Sequence, residues 1–303
     1  MAVAMETSYP VKQREMIQWV ADSRPWNELD QRPDDIVIST WSKSGTTLLQ
    51  QLVMQMVFGG DPDLYGPGLS PWIDSRFTPD AVNVAKAQTH RRVLKTHLPI
   101  DALVYSPQAK YIFSGRDIRD TFWSWHHHHA NFTPEALAYI NTLPGWEGQV
   151  IGYPDPDIRT AFREWLTRDG YPNWPFWEHV QGWFDARRLP NLKLVHYADL
   201  IADLPGQARQ IAAFLEIDVP EAAWPRILEY SSLEHTKALA ARNERLAQVF
   251  KGGGATFINK GTNGRWRDVL TLEDNAAVDA AAAEHLSADC ARWLATGQLP
   301  AER

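Results

Sequence analysis

Residues 36–58 read IVISTWSKSGTTLLQQLVMQMVF, and this stretch decides the fold. It begins with a short apolar run at residues 36–38, continues through a polar segment that contains Gly45, and ends in a strongly apolar segment at residues 46–58. This order is typical of a buried strand, a loop and a buried helix. Because strands that alternate with helices form parallel sheets covered on both faces, the stretch predicts the start of an α/β fold.

Further apolar runs extend this prediction along the chain. Strands are expected at residues 93–95, 111–113 and 192–196, and helices at residues 117–129 and directly behind Pro205. We therefore predict a single α/β domain over residues 1–303. Its central parallel sheet would carry helices on both faces and a phosphate-binding loop of the P-loop-like kind.

Three segments outside the predicted sheet have distinctive compositions. Residues 132–190 are rich in tryptophan and proline and predict an insertion packed on the sheet. Residues 251–255 contain three glycines and predict a flexible loop, and residues 273–294 predict an Ala-rich helix. Within the insertion, one amphipathic helix is expected, with an apolar face made of Phe176, Val180, Trp183 and Phe184.

The composition excludes several classes of protein. The chain has 303 residues, a formal net charge of -7 and one cysteine, Cys290. General binding of nucleic acid is not expected, because affinity for a phosphate backbone comes from clustered lysine and arginine. Residues 1–16 lack the apolar core of a secretory signal, and no apolar run approaches the roughly 20 residues that span a bilayer. We therefore expect a cytoplasmic protein with no membrane partner.

The polar segment after the first strand has the composition of an anion-binding loop. Gly45 lets the backbone approach an anion, and the amides from Ser44 to Thr47 would lie at the positive end of the following helix. Lys43 adds a full positive charge. In the common nucleoside-triphosphatase loop, G-x-x-x-x-G-K-[ST], lysine follows the second glycine, whereas here it precedes the only glycine. Taken alone, the segment is equally compatible with a polar turn that caps a helix.

A second polar motif, KTHLP at residues 95–99, ends the predicted strand at residues 93–95. In open α/β sheets, ligands bind beyond the carboxyl ends of the strands, so His97 is expected near whatever the first loop binds. A lone histidine is more often structural, but a neutral imidazole beside this site can accept a proton from an attacking hydroxyl. Lys43 or Lys95 can stabilise charge on a leaving phosphate oxygen.

A second anion site is predicted farther along the chain. Arg116 follows the strand at residues 111–113, and Ser124 lies about two helical turns later on the same face. An arginine fork with a hydroxyl suits a phosphate group, although Arg116 could instead pair with a nearby aspartate at the surface. Lys260 and Gly261 could bring another lysine and a bare amide to the same anion.

The histidine run at residues 126–129 does not predict a metal site. Consecutive histidines point in four directions on a helix, whereas chelation on one face needs i, i+4 spacing. One or two of these histidines are expected to line a pocket. No arrangement that would hold Mg²⁺ is evident either, so we predict no metal requirement.

In order and spacing, these motifs resemble those of the cytosolic-type sulfotransferases that use 3'-phosphoadenosine-5'-phosphosulfate (PAPS), and a bacterial member of that family is expected. The similarity covers residues 34–272, nearly the whole chain. The resemblance implies PAPS as donor, 3'-phosphoadenosine-5'-phosphate (PAP) as product, and catalytic roles for His97, Lys43 and Lys95. It assigns donor binding to Lys43, Ser44, Gly45, Thr46, Thr47, Arg116, Ser124, Tyr197, Ser231, Asn259, Lys260 and Gly261.

The chain departs from the family pattern at a few positions. Leu48 and Leu233 stand where the family has aromatic residues, the first of which stacks on adenine. Asn259 stands where the family has arginine, which removes one possible contact with the 3'-phosphate. The short dimerisation motif expected at residues 267–276 ends in Ala276 instead of glutamate, so we assign no oligomeric state.

We therefore predict a sulfotransferase that moves a sulfuryl group from PAPS to an acceptor hydroxyl, with His97 as general base. Trp72, Phe77, Phe132 and Trp146 lie in loops near the predicted strand ends, and an aromatic lining favours a phenol or another apolar alcohol as the small-molecule acceptor. The same residues could instead anchor loops. A carbohydrate acceptor also stays open, because tryptophan faces stack on sugars.

Two alternative functions are compatible with parts of the pattern. A nucleotide kinase would use the same loop for a phosphoryl group, but it would need Mg²⁺ and the glycine-lysine order that this chain lacks. A nucleotide-binding regulator would keep the donor site without chemistry. Such a regulator is expected to lose His97 or Lys95 first, and both are present.

Overall fold

The structure, a computed structural model, describes residues 8–301. The two ends of the predicted domain, residues 1–7 and 302–303, lie outside this range, and residues 1–7 also belong to the segment predicted not to be a secretory signal. One four-stranded sheet has the order β2-β1-β3-β4, and every neighbouring pair is parallel. The strands are β1 (Ile36–Thr40), β2 (Val93–Thr96), β3 (Lys110–Gly115) and β4 (Leu192–His196). Each lies where the sequence predicted a strand.

The rest of the described chain is mostly helical, and none of its helices is long and apolar enough to cross a membrane. The α-helices are α1 (Thr46–Val57), α2 (Gly66–Leu69), α3 (Ala81–Ala87), α4 (Ile118–Ala130), α5 (Pro134–Thr142), α6 (Ile158–Thr167), α7 (Phe176–Asp185), α8 (Tyr197–Ala202), α9 (Leu204–Leu215), α10 (Trp224–Tyr230), α11 (Leu233–Ala241), α12 (Glu244–Val249), α13 (Gly254–Phe257), α14 (Leu272–His285) and α15 (Ala288–Thr296). Short 3-10 helices span Arg24–Glu28, Ile100–Ala102, Ala186–Arg188 and Glu221–Ala223.

Side chains alternate across the strands and divide the core into two layers. Val37, Tyr111 and Phe113 belong to one layer, together with apolar residues of α4, α6, α7 and α15. Ile38 and Ile112 belong to the other, together with apolar residues of α1, α9 and α10. Helices therefore cover both faces of a parallel sheet, and the predicted fold class is confirmed.

Helix α1 is buried although it carries polar side chains. Its glutamines donate to main-chain carbonyl groups: Gln50 to Ser70 at 3.1 Å and Gln51 to Tyr230 at 2.9 Å. Buried polar groups are tolerated when such partners satisfy them. The helix is consequently fixed on several sides, which holds its first turn at the end of β1.

The insertion predicted at residues 132–190 contains three α-helices, α5, α6 and α7, and the 3-10 helix Ala186–Arg188. The predicted amphipathic helix is α7, and its four expected apolar residues are all buried. Helices α5 and α6 were not predicted, and α6 buries Phe162 and Trp165 against the same layer of the core. The limits of the insertion and of the domain remain predictions.

Two sequence-based expectations were wrong. The Ala-rich helix predicted at residues 273–294 is broken, because Ser287 caps a second helix by accepting the amide of Cys290. The glycine segment predicted as a flexible loop includes the packed turn α13. There, a Cβ on Gly254 would lie 1.9 Å from the carbonyl oxygen of Ala240. Glycine permits close packing at this position, since any side chain would clash with that backbone.

Candidate active site

The carboxyl ends of all four strands open into one cavity of about 1350 Å³. The polar loop follows β1, His97 follows β2, Arg116 follows β3 and Tyr197 follows β4. In a parallel α/β sheet, the loops at this edge converge on one place, which is where ligands bind. The topology thus assembles residues that are far apart in the sequence.

The loop between β1 and α1 is held in an unusual backbone conformation. Lys43 has a φ of 69° and Gly45 a φ of 101°, both in the left-handed region. A Cβ on Gly45 would lie 2.8 Å from the Tyr197 ring, so only glycine fits without a shift of that ring. The Ser114 hydroxyl donates to the Ser44 carbonyl oxygen at 2.7 Å, which ties the loop to β3.

This conformation leaves main-chain donors available at the start of α1. Within residues 8–301, the amides of Gly45, Thr46 and Thr47 have no hydrogen-bond partner. Unsatisfied amides at the first turn of a helix carry partial positive charge and bind anions. A polar turn that only capped the helix would satisfy one of these amides with a side chain, and no side chain does so within residues 8–301. The anion-binding interpretation of the loop is therefore favoured.

Lys43 lines the same cavity as these amides and is half-buried. Burial lowers the pKa of its ammonium group to about 7, and the positive charges of Lys95 and Arg116 add to this effect. Its Nζ lies 3.1 Å from Nδ1 of His128 and 5.2 Å from the centre of the Phe257 ring. A lysine with this pKa loses its proton near neutrality unless an anion stabilises the charge.

The His97 ring is fixed in one orientation. Nδ1 lies 2.8 Å from the Thr40 carbonyl oxygen, and because a carbonyl can only accept, Nδ1 carries the proton. Nε2 has no hydrogen-bond partner in the described part of the chain. The ring lies between the rings of Trp72 and Trp174, at centroid distances of 5.0 and 5.5 Å. Burial, assisted by the charge of Lys95, lowers the pKa of His97 well below its usual value, so the ring is neutral at pH 7.

A buried carboxylate, Asp74, holds the Trp72 ring and the main chain of His97 in place. Asp74 accepts the indole N–H groups of Trp26 at 3.0 Å and Trp72 at 2.7 Å, and the main-chain amide of His97 at 3.0 Å. Lys95 lies with its Nζ 4.0 Å from the centre of the Trp72 ring. Burial lowers the pKa of Lys95 to about 8, and the charge of Asp74 opposes that shift. Asp74 thus fixes the Trp72 ring and the main chain of His97 at the end of β2.

Arg116 is almost fully buried and donates to three groups. Nη1 donates to the Lys43 carbonyl oxygen at 3.0 Å, Nη2 to that of Thr262 at 3.2 Å, and Nε to the Asn263 side chain at 3.0 Å. The guanidinium also lies over the Tyr197 ring at 4.3 Å. The alternative of a surface ion pair is wrong, since the neighbouring Asp117 pairs with Arg119 and Arg116 connects two loops of the cavity.

The remaining predicted donor contacts lie around Arg116 and Tyr197. The Tyr197 hydroxyl donates to the Gly261 carbonyl oxygen at 3.2 Å. The Ser231 hydroxyl is buried and has no partner in residues 8–301. Apart from Ser44, all predicted donor-binding residues line the cavity, and so do Leu48 and Leu233; the predicted set is Lys43, Gly45, Thr46, Thr47, Arg116, Ser124, Tyr197, Ser231, Asn259, Lys260 and Gly261.

Two predicted site residues do not line the cavity. Ser44 is buried beneath the loop, where its carbonyl group accepts the Ser114 hydroxyl. Trp146 packs at the edge of the core, and its indole N–H donates to the Gln149 carbonyl oxygen at 3.3 Å. Trp146 is therefore removed from the acceptor lining, because its ring is used within its own loop. Trp72, Phe77 and Phe132 do line the cavity.

The histidine run divides between two environments. His127, His128 and His129 line the cavity, whereas Nε2 of His126 lies 2.8 Å from the Asp155 carbonyl oxygen outside it. Among residues 8–301, no group of three or more His, Cys, Asp or Glu side chains is arranged to hold a metal ion.

Several residues of the site had no signal in the sequence. Asp74, Trp174 and Thr40 contact His97, but none belongs to a motif with chemical meaning. His128 contacts Lys43, and the sequence predicted only that one or two histidines of its run line a pocket. The only hint was the position of Thr40 at the end of the strand that precedes the loop. These residues reach His97 and Lys43 only because the fold brings separate segments together at the carboxyl ends of the strands.

Comparison with known proteins agrees with this geometry. Residues 33–289 match the family model of the sulfotransferase domain. The chain is 32% identical over 301 residues to a glycolipid sulfotransferase of Mycobacterium bovis, a match that covers 88% of this chain and 90% of that one. It is 27% identical to a 3-alpha-hydroxysteroid sulfotransferase of Cavia porcellus, with 82% of both chains covered.

The chain therefore belongs to the sulfotransferase family and is a sulfotransferase, which decides against the kinase and regulator alternatives. Two solved structures share the fold at 22% identity and a TM-score of 0.68. They are mouse sulfotransferase SULT7A1 complexed with PAP, which covers 89% of this chain and 90% of its own, and retinol dehydratase in complex with androsterone and inactive cofactor PAP, which covers 88% and 87%.

Proposed function

We propose that the chain transfers a sulfuryl group from PAPS to a hydroxyl group of a largely apolar small molecule, with His97 as the general base. The observation that carries this proposal is the His97 ring, which donates from Nδ1 to Thr40 and keeps Nε2 free. A neutral imidazole held in this way is ready to accept a proton. It lies in the same cavity as the anion loop.

The residues present fit a donor with two separate anionic groups. The free amides of residues 45–47 and Lys43 form one site, and Arg116 and Ser124 line another part of the same cavity. The buried Ser231 hydroxyl without a partner is a further group that a ligand would satisfy. Two solved proteins of the same fold are complexes with PAP, which supports this choice of donor.

PAPS would supply an activated sulfuryl group, and PAP would remain after transfer. Nε2 of His97 accepts the proton of the acceptor hydroxyl, and the Thr40 carbonyl group stabilises the imidazolium that results. Lys43 and Lys95 stabilise the negative charge that develops on the phosphate side. Positioning and charge stabilisation provide the catalysis, with no covalent enzyme intermediate.

Aromatic rings of the cavity wall support an apolar acceptor. Phe77 and Phe132 line the cavity, as do Phe250 and Phe257, and Trp72 lies edge-on to His97. Two relatives are a glycolipid sulfotransferase and a 3-alpha-hydroxysteroid sulfotransferase, and a steroid and the lipid part of a glycolipid are both apolar. A phenol as acceptor and a cytoplasmic location remain predictions from the sequence.

The test is a sulfation assay with the purified chain, PAPS and a panel of a phenol, a steroid alcohol and a glycolipid, with and without EDTA. We expect PAP release coupled to sulfation of at least one acceptor, unchanged by EDTA. His97→Ala is expected to lower kcat by about 10²- to 10⁴-fold while PAP affinity stays within about twofold. His127→Ala, which also lines the cavity, is the matched control. Parental turnover by His97→Ala would reject the assignment of the base.

A further inference from the structure

A second arginine lies at the donor end of the cavity, beyond the residues already assigned. Arg265 lines the same cavity as Arg116, Ser124 and Lys260. Its side chain is half-buried, and within residues 8–301 it has no hydrogen-bond or ion-pair partner. A half-buried guanidinium without a partner keeps all five of its N–H donors available for a ligand.

The position of Arg265 is fixed by its neighbours in the chain. The Thr262 carbonyl group and the Asn263 side chain both accept from Arg116. The amide of Gly264 donates to the Asp120 carboxylate at 2.6 Å. On the other side of Arg265, the ring of Trp266 lies under the Arg119 guanidinium at 4.4 Å. Arg265 is therefore held by contacts on both sides against the junction of β3 and α4.

The charges around this junction do not balance. Arg116, Arg265 and Lys260 are positive, and Asp120 is the nearby carboxylate that lines the cavity with them. Asp120 already accepts the Gly264 amide, and Asp117 is paired with Arg119. Burial is the main cause that lowers the pKa of Arg116; Tyr197, Asp120 and Asp117 oppose that shift, and the charge of Arg265 adds to it. Like charges held together in a cavity favour the binding of an anion between them.

The sequence offers a reason for a second arginine at this place. Asn259 lines the same cavity, next to Lys260 in the chain, and its neutral amide supplies no charge to a phosphate. Arg265 lies on the same loop and can donate two parallel N–H groups to phosphate oxygens. The guanidinium of Arg265 therefore lies six residues after the position of Asn259 in the sequence.

We propose that Arg265 binds the 3'-phosphate of the donor together with Arg116 and supplies the positive charge that Asn259 lacks. This inference rests on the proposed function, because it assumes a donor that carries a 3'-phosphate. Arg265 then selects PAPS and PAP over adenine nucleotides without that group.

The experiment compares the affinities for PAP and for AMP, which lacks the 3'-phosphate, by calorimetry on the full chain. Arg265→Met is expected to weaken PAP binding by roughly 10- to 100-fold, as for the loss of hydrogen bonds from a charged group, and to leave AMP binding within about twofold. Arg267→Met is the matched control, since Arg267 lies on the same loop against Trp266 and does not line the cavity. It should keep the parental ratio of the two affinities.

A rescue variant sharpens the test. Asn259→Arg in the Arg265→Met background is expected to recover part of the preference for PAP, because it returns a guanidinium to the same loop. Equal PAP affinity of parent and Arg265→Met, or an equal loss for PAP and AMP, would overturn the role of Arg265. If Arg265→Met does not fold, the ratio of PAP affinity to AMP affinity is measured on Arg265→Gln instead, with the same expected loss. A parent chain with no preference for PAP over AMP would overturn the proposed function and this inference together.

Discussion

The cavity has two ends that are built in different ways: a proposed donor end around residues 43–47 and Arg116, and a proposed acceptor end around Trp72, Phe132 and Phe257. At the donor end, main-chain groups form most of the structure. The first amides of α1 have no partner within residues 8–301, and the carbonyl groups of Lys43 and Thr262 accept hydrogen bonds from Arg116. At the acceptor end, aromatic side chains from separate segments form the wall, among them Trp72, Phe132 and Phe257. His97 lies where the two ends meet.

This difference explains which half can be recognised from a sequence. A main-chain cradle needs particular backbone angles, so residues such as Gly45 are fixed by geometry and leave a motif. A wall of apolar rings needs only volume and can be made from different residues without disturbing the sheet. Binding of the proposed donor can therefore be predicted from short motifs, whereas the choice of acceptor depends on the shape of the folded cavity.

The strongest way to break the donor end is to remove the charge of Lys43. Lys43→Met is expected to lower kcat/KM by about 10²- to 10³-fold, since it removes one group that stabilises the developing charge. The acceptor KM should stay within about twofold, because the aromatic wall is unchanged. Steady-state kinetics with both substrates varied would check this. A large rise in acceptor KM would contradict the division of the cavity into two ends.

A pH titration tests the same lysine without disturbing the fold. Burial lowers the pKa of free Lys43 to about 7, and a bound phosphate raises it, so PAP affinity is full below pH 7 and falls as pH rises above it. The dissociation constant should increase by up to about tenfold per pH unit while one proton is taken up. Calorimetry at several pH values, in two buffers with different ionisation enthalpies, counts that proton. Lys43→Arg should remove the dependence near pH 7 and leave only that of Lys95, whose pKa is about 8. An unchanged profile near pH 7 in this variant would assign the proton to another group.

His128 connects the two ends, since it lies 3.1 Å from Lys43 and packs against Phe250 at a ring distance of 4.7 Å. His128→Phe is expected to change the acceptor KM by about fivefold, the equivalent of one hydrogen bond of about 1 kcal/mol. PAP affinity at pH 6.5 should stay within about twofold. His126→Phe is the control from the same run, because His126 faces Asp155 outside the cavity. Equal effects of the two substitutions would indicate a helix-wide disturbance.

The smallest expected effect concerns the acid side of the pH profile. Because burial lowers the pKa of His97 well below its usual value, the base stays unprotonated as pH falls through 6.5. The value of kcat should therefore change by less than about twofold between pH 7.5 and 5.5, whereas an ordinary histidine with a pKa of about 6.5 would lose roughly tenfold over that range. A midpoint at or above pH 6.5 in saturating PAPS would contradict the buried environment of the ring.

Much of the fold and of the donor site followed from the sequence. The four strands, α1 and α7 were predicted from apolar patterns, and most residues predicted from motifs to bind the donor line the one cavity at the strand ends. The break between α14 and α15 was not predicted, because one capping serine interrupts an otherwise continuous helical composition. Trp146 was misplaced because a tryptophan in a loop has the same local sequence whether its ring faces a ligand or its own loop.

The sequence by itself determined the parallel sheet, the helices on both faces and the anion loop, because these depend on local periodicity and on the backbone freedom of residues such as Gly45. Tertiary structure alone decided that Asp74 supports His97, that Arg116 connects two loops, and that His128 and Arg265 enter the cavity. These roles come from contacts between segments distant along the chain, and such contacts exist only after the strands have brought their carboxyl ends together.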